Sequence, residues 1–224
     1  MSTPTIQNNT FTATTYPIKL SSSGAVLSLN TATNNTYNGI FVEGQVFFTD
    51  VTWKADSIPY IINQFTINEG KKLTIEAGTQ IQFIGVPYGG PELVVKGTLV
   101  TQGVWGNLVT FTKSSSIAFW KRIHFTSTSS GSVLSYLEVN YGGSALEKMG
   151  ALYIEGTVDL QNVTIQNSPS AGIYVSGTVT GASISLQDNT YGFRLDVLEC
   201  PSLTNITISG SQDDFYPGSL ECVF

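Results

Sequence analysis

Gly150-Ala151-Leu152-Tyr153-Ile154, Gly172-Ile173-Tyr174-Val175 and Gly192-Phe193-Arg194-Leu195 read as three versions of one short motif. Their glycines lie 22 and 20 residues apart (172−150 and 192−172). A second series runs beside it: Val163-Thr164-Ile165, Ile184-Ser185-Leu186 and Ile206-Thr207-Ile208, with first members 21 and 22 apart. Each segment alternates apolar and polar residues, the period-2 pattern of a half-buried strand. Two such strands per period of 20 to 22 residues describe a solenoid, in which a repeat buries its apolar face only by stacking on its neighbours.

Working outward, short strands continue upstream: Tyr60-Ile61-Ile62, Phe65-Thr66-Ile67, Leu73-Thr74-Ile75, Ile81-Gln82-Phe83, Leu93-Val94-Val95, Leu99-Val100-Thr101, Val109-Thr110-Phe111, Ile123-His124-Phe125 and Leu137-Glu138-Val139. Gly97 and Gly103 supply corners, where positive φ carries no Cβ cost. No stretch sustains the i, i+3, i+4 pattern of a helix, although Ala145–Met149 has room for one short turn. A β-sandwich also shows short strands and frequent turns. Three features favour a parallel β-helix: the period, the matched apolar stations (Leu152, Ile173, Phe193; Ile165, Leu186, Ile208), and the lack of Asn-Gly or Asp-Gly hairpin turns among the repeats. Asn38-Gly39 lies before them, in residues 1–51, which do not fit the repeat and read as an N-terminal β cap or linker. Residues 52–224 then make about seven coils.

Composition bounds function. Charged residues make up 12 % of the 224 residues and the net charge is −6, which excludes the clustered Lys/Arg needed for nucleic acid. No apolar run reaches the length of a membrane span. Met1-Ser2-Thr3-Pro4 lacks the basic start and apolar core of a signal peptide. The expectation is a mature extracellular or cell-surface domain, with a cytosolic or virion origin as alternatives. Cys200 and Cys222 are 22 residues apart, one period of the repeat. Stacked at one station they come within disulfide reach; a disulfide and two buried thiols both fit that placement.

Several upstream residues carry a resemblance. Thr52-Trp53, Pro59-Tyr60, Ile67, Gly70, Leu73, Ile75, Gly78, Ile81 and Phe83, followed by Gly97, Leu99, Phe111-Thr112, Trp120, Ile123 and Phe125, resemble the opening coils of bacterial secreted right-handed parallel β-helix repeat proteins. These belong to the pectin-lyase-like superfamily. The resemblance implies an all-β, single-stranded, right-handed parallel β-helix over roughly residues 52–215. It implies little about activity, because that superfamily contains lyases, hydrolases, adhesins and spikes.

Strand alternation assigns candidate sites. With Leu152 and Ile154 inward, Tyr153 points out, and so do Tyr174, Arg194 and, about a coil earlier, His124. These four form an outward ladder able to cradle sugar rings by CH–π stacking and hydrogen bonds; the plainer reading is that tyrosine suits strands. Glu138, Thr164, Ser185 and Thr207 form a matching outward row on the next face. The densest acidic cluster is Asp188, Asp196, Glu199, Asp213 and Asp214, with Asp188 and Asp213 expected about a coil apart. Of the pectin-hydrolase motifs only Asp213-Asp214 matches, and His124 is flanked by Ile123 and Phe125 rather than by glycines. In the pectate-lyase pattern Asp188 and Asp196 would bind calcium beside Arg194. Asp213 and Asp214 are also candidate ligands for a structural Ca²⁺; no other cofactor is expected. Four Asn-x-Ser/Thr sequons begin at Asn8, Asn34, Asn162 and Asn205.

These readings converge on a non-catalytic extracellular β-helix module, surface-adhesive or structural, with carbohydrate on the tyrosine face as candidate ligand. The alternatives are a polysaccharide lyase or glycoside hydrolase, and a self-assembling fibre or virion spike component. Expected partners are a polysaccharide or glycan, or another protein chain at the C-terminal coil, with no nucleic acid and no membrane insertion.

Overall fold

The structure is a computed structural model that describes residues 4–21, 25–43, 46–47, 49–85, 90–144, 150–217, 220 and 222–223. The short turn expected at Ala145–Met149 lies outside the described residues. All named strand pairs are parallel, and partners come from successive windings. The chain is a parallel β-helix. Each complete coil contributes strands to three ladders.

The first ladder stacks Gln64–Ile67, Glu92–Val95, Arg122–Phe125, Leu152–Ile154, Ala171–Val175, Tyr191–Leu195 and Asp213–Phe215. The second includes Val51–Trp53, Lys72–Glu76 and Thr98–Gln102, and the third begins with Ile18–Ser21, Ile40–Glu43, Tyr60–Ile62, Gln80–Phe83 and Val109–Lys113. Further along, single long strands serve both: Ser132–Asn140, Thr157–Gln166, Thr178–Gln187 and Ser202–Ser209. Each bends midway at a left-handed residue: Tyr136, Asn162, Ser183 or Asn205. A second row of left-handed corners follows, at Tyr141, Asn167, Asp188 and Gly210.

The N-terminal residues that read as a β cap are themselves wound as coils. Thr5–Gln7 pairs with Val26–Ser28, Thr10–Thr12 with Thr31–Thr33, and Ile18–Ser21 with Ile40–Glu43, which in turn pairs with Tyr60–Ile62. This segment escaped the repeat reading because its strands are only three or four residues long and its inward stations are not consistently large and apolar. Its left-handed corners are Asn8, Ala13, Leu29 and Asn34. All four sequon asparagines therefore sit at left-handed corners, with φ of 54° to 56°. Asparagine tolerates that conformation better than most residues. Corner geometry thus favours the asparagine of each sequon.

The core is a set of continuous ladders. Ile67, Val95, Phe125, Ile154, Val175 and Leu195 stack in register and are all buried. So do Phe65, Leu93, Ile123, Leu152, Ile173 and Phe193, and, on the third ladder, Ile81, Phe111, Val139, Ile165 and Leu186. Each such side chain contributes about 1.5–3 kcal/mol on burial. The repeat glycines need one adjustment. Leu152 pairs with Ile173, which places Ala151, not Gly150, at the station of Gly172 and Gly192. Gly97 and Gly103 are corners for a different reason than φ, since neither is left-handed. A Cβ on Gly97 would lie 2.2 Å from the carbonyl oxygens of Asn68 and Lys71, and one on Gly103 would lie 2.2 Å from that of Tyr136. Close backbone approach between coils selects glycine there.

At the C-terminal end, Cys200 and Cys222 form a disulfide with Cα atoms 5.8 Å apart. The Tyr216 and Leu220 amides donate to the carbonyls of Phe193 and Leu195. Phe215, Leu220 and Cys222 pack against the core.

Candidate functional site

The first ladder brings the four predicted residues into one column. His124 is the register partner of Tyr153, Tyr153 of Tyr174, and Tyr174 of Arg194. The rings stack: His124 on Tyr153 at 4.6 Å between centroids and 18° between planes, Tyr153 on Tyr174 at 4.5 Å and 20°. The Arg194 guanidinium lies 4.4 Å from the Tyr174 centroid and 4.9 Å from that of Tyr216. Coil spacing of about 4.8 Å is close to aromatic stacking distance, so residues at one station stack without backbone adjustment.

That geometry corrects the expected mode of ligand contact. Tyr153 and Tyr174 are only 9 % and 7 % exposed, because each ring face is turned to its neighbour. Ring faces in the column are not open for a sugar to stack on. What reaches the surface is a margin of edges, hydroxyls and charged groups.

Charged residues bracket the column, and most were not singled out as site residues from the sequence. Glu92 is the register partner of Arg122. The Arg122 Nε donates to Glu92 Oε1 at 2.7 Å, Lys121 Nζ lies 3.3 Å from Glu92 Oε2, and His124 Nδ1 lies 3.6 Å from Glu92 Oε1. On the other side of the imidazole, Nε2 meets Glu155 Oε2 at 2.8 Å, and the Tyr153 hydroxyl donates to Glu155 Oε1 at 2.6 Å. One coil on, the Tyr174 hydroxyl donates to Asp196 Oδ2 at 2.5 Å, where Arg194 Nη2 also donates at 3.2 Å. The Glu92–Arg122 pair is 30 residues apart in sequence, outside the 20–22 residue period, which hid it.

Electrostatics follow from this pairing. Burial disfavours ionisation of Glu92, but the adjacent His124, Arg122 and Lys121 outweigh it and hold the carboxyl at about 2. For Glu155 burial is likewise overcome, by hydrogen bonds from Tyr153 and His124, and its pKa is lowered. Burial, then the hydrogen bond to Glu155, raises the Tyr153 phenol; burial, then Asp196, pushes Tyr174 up to about 12. At neutral pH the column thus carries ionised carboxylates and protonated phenols that satisfy one another.

The acidic cluster divides. Asp188 occupies a left-handed corner, its amide donating to the Ser209 carbonyl, whereas Asp213 pairs with Tyr191. The expected Asp188–Asp213 pairing across a coil is therefore absent. Of the lyase-like trio, Arg194 and Asp196 meet and Asp188 stands apart at that corner. Asp213 and Asp214 are successive, exposed residues of one short strand. Among the described residues no three His, Cys, Asp or Glu side chains gather as metal donors. Glu138, Thr164, Ser185 and Thr207 do stack in register on the third ladder.

Beside the column lies an open groove of about 610 Å³. The turn after the first-ladder strand is two residues in the preceding coils, Glu155-Gly156 and Ser176-Gly177, but six at Asp196–Pro201. The longer loop stands away from Ser176–Thr180 and leaves the groove between them. Its lining includes Ser176, Thr178, Thr180, Asp196, Glu199 and Ser202, and Cys200 ties the loop to Cys222.

Among the described residues no helix is long and apolar enough to cross a membrane. Comparison with protein-family models, curated proteins and solved structures gives no match for this chain. No family is shown for this chain; the structure shows an all-β parallel solenoid of about nine turns.

Proposed function

We propose that this chain is a non-catalytic β-helix module, acting as a surface-adhesive or structural element, that holds carbohydrate in the groove beside the His124–Tyr153–Tyr174–Arg194 column. The observation that carries the reading is the position of Asp196. Its carboxylate is fixed by Tyr174 and Arg194 and also lines the groove, among serine and threonine hydroxyls. An oriented carboxylate with neighbouring hydroxyls suits sugar hydroxyls, which donate and accept. Pairing at the column supports the non-catalytic part. Glycosidic hydrolysis needs two carboxyls flanking the scissile bond, one of them with a raised pKa to act as acid. Here Glu92 and Glu155 are pulled down and separated by the imidazole they share.

The test is retention of the protein on a panel of immobilised neutral and acidic polysaccharides, with each soluble polysaccharide also assayed for new reducing ends and unsaturated products. Retention that weakens in Asp196→Asn, without product, is expected. Product formation would overturn the non-catalytic reading, and a panel without retention would overturn the carbohydrate reading.

A further inference from the structure

A second feature, on the opposite side of the coil from the column, has a different chemistry. The corner after Thr98–Gln102 carries a protruding turn, Gly103–Leu108. It is fixed at its base by the Gly103 amide to the Ser135 carbonyl (3.2 Å) and the Gly78 amide to the Leu108 carbonyl (3.2 Å). It is closed on itself by reciprocal backbone hydrogen bonds between Val104 and Asn107, at 3.2 and 2.9 Å. Gly103 permits the close seating on Tyr136 described above, and the Asn107 side chain covers Gly78, where a Cβ would lie 2.5 Å from Oδ1. This braced turn presents Trp105, which is 89 % exposed, whereas Trp53 and Trp120 are 3 % and 1 % exposed.

The indole overlooks a shallow depression of about 230 Å³ whose other walls include Tyr136, Asn162, Thr164 and Ser183. Tyr136, Asn162 and Ser183 are the left-handed corner residues of three successive coils, so the wall repeats at the coil spacing of about 4.8 Å. Asn205 extends the row, its Nδ2 donating to Ser183 Oγ at 3.0 Å. Among the described residues no Asp, Glu, Lys, Arg or His lines the depression. A flat aromatic on a braced turn, beside a row of amides and hydroxyls without charge, matches a ligand with one apolar face and many neutral hydroxyls.

We propose that the Trp105 turn and the corner row Tyr136–Asn162–Ser183 form a binding site for a neutral oligosaccharide. One pyranose ring lies on the indole and the rest of the chain runs along the corner. The proposal rests on the carbohydrate reading of the module but uses residues separate from the Asp196 groove.

Because the other two tryptophans are buried, collisional quenching by acrylamide reports mainly on Trp105. The experiment titrates the protein with cello-, xylo-, manno- and malto-oligosaccharides, reading tryptophan emission, acrylamide quenching and calorimetry. The expected result is a saturable blue shift with protection from acrylamide for at least one series. Trp105→Ala should then weaken binding about tenfold or more, as for an aromatic anchor. Trp105→Phe should retain part of the affinity, and Asn162→Ala should lose several-fold. The emission change and acrylamide protection, read at Trp105, report this site separately from the Asp196 groove. No spectral response from any series, or calorimetric affinity unchanged in Trp105→Ala, would overturn the proposal. Retention on polysaccharide that survives Trp105→Ala but not Asp196→Asn would do so too, while leaving the groove reading in place.

Discussion

Replacing Glu92 by glutamine tests whether the charge cluster at the column stabilises the solenoid. The Glu92 side chain is 9 % exposed and contacts Arg122, Lys121 and His124. Its pKa is held at about 2 against an ordinary 4.5. At 1.36 kcal/mol per pKa unit, ionised Glu92 contributes about 3 kcal/mol of stability at neutral pH. The sign follows from a folded-state pKa below the unfolded value. The stability is complete above pH 4.5, falls as pH drops towards 2, and is half lost near about pH 3. Glu92→Gln removes the anion and leaves Arg122 and Lys121 without it, so the variant should lose about 3 kcal/mol at pH 7, or about 6–12 °C in Tm for a chain of this length. Urea unfolding followed by the emission of buried Trp53 and Trp120 measures this at pH 7, 4.5 and 3. Wild type and variant should differ most at pH 7 and converge as pH falls. A difference under about 1 kcal/mol at pH 7, or one that stays constant down to pH 3, refutes the reasoning, since either means that ionised Glu92 supplies no linked stability.

Three further outcomes are expected. Replacing both Cys200 and Cys222 by serine removes a cross-link closing 22 residues, worth about 3 kcal/mol in the chain-entropy account; limited proteolysis should cut within residues 196–223 first while the upstream coils stay intact. Ile165→Ala opens a void between Val139 and Leu186 at a fully buried station and should cost about 2–5 kcal/mol in urea unfolding, while Thr164→Ala, one residue away and half-exposed, should stay within about 0.5 kcal/mol. Tyr174→Phe deletes the hydroxyl bound to Asp196 and should remove the phenol that ionises at about 12 from an ultraviolet titration; because that folded pKa lies above the ordinary 10, its contribution is complete below pH 10 and is lost as pH rises towards 12.

The column shows what could be read without coordinates. From Gly150 onward the first-ladder partners are close to constant in separation: Leu152 with Ile173, Ile173 with Phe193, Phe193 with Phe215. With constant coil length, period-2 alternation assigns a face to every residue. The stack Tyr153–Tyr174–Arg194 followed from that register, as did the shared station of Cys200 and Cys222, at which a disulfide and two thiols both fitted. Upstream the separations lengthen: Gln64 with Glu92, Glu92 with Arg122, Ile123 with Leu152. Insertions at the corners, such as the turn carrying Trp105, change coil length without disturbing the strands. The Glu92–Arg122 pair and the Trp105 depression were invisible for that reason.

The sequence by itself determined the parallel solenoid and the residues that share a station, because inward apolar positions recur at coil length and a strand has only two faces. Tertiary structure alone decided what those stations do. Stacking at coil spacing turned the tyrosine faces on each other and buried them, leaving their hydroxyls to Glu155 and Asp196. Corner insertions, which carry no periodicity, placed the exposed Trp105 and the groove beside Asp196. Loop excursions are set by local turn bonds and by how closely neighbouring coils approach, and neither leaves a period to read.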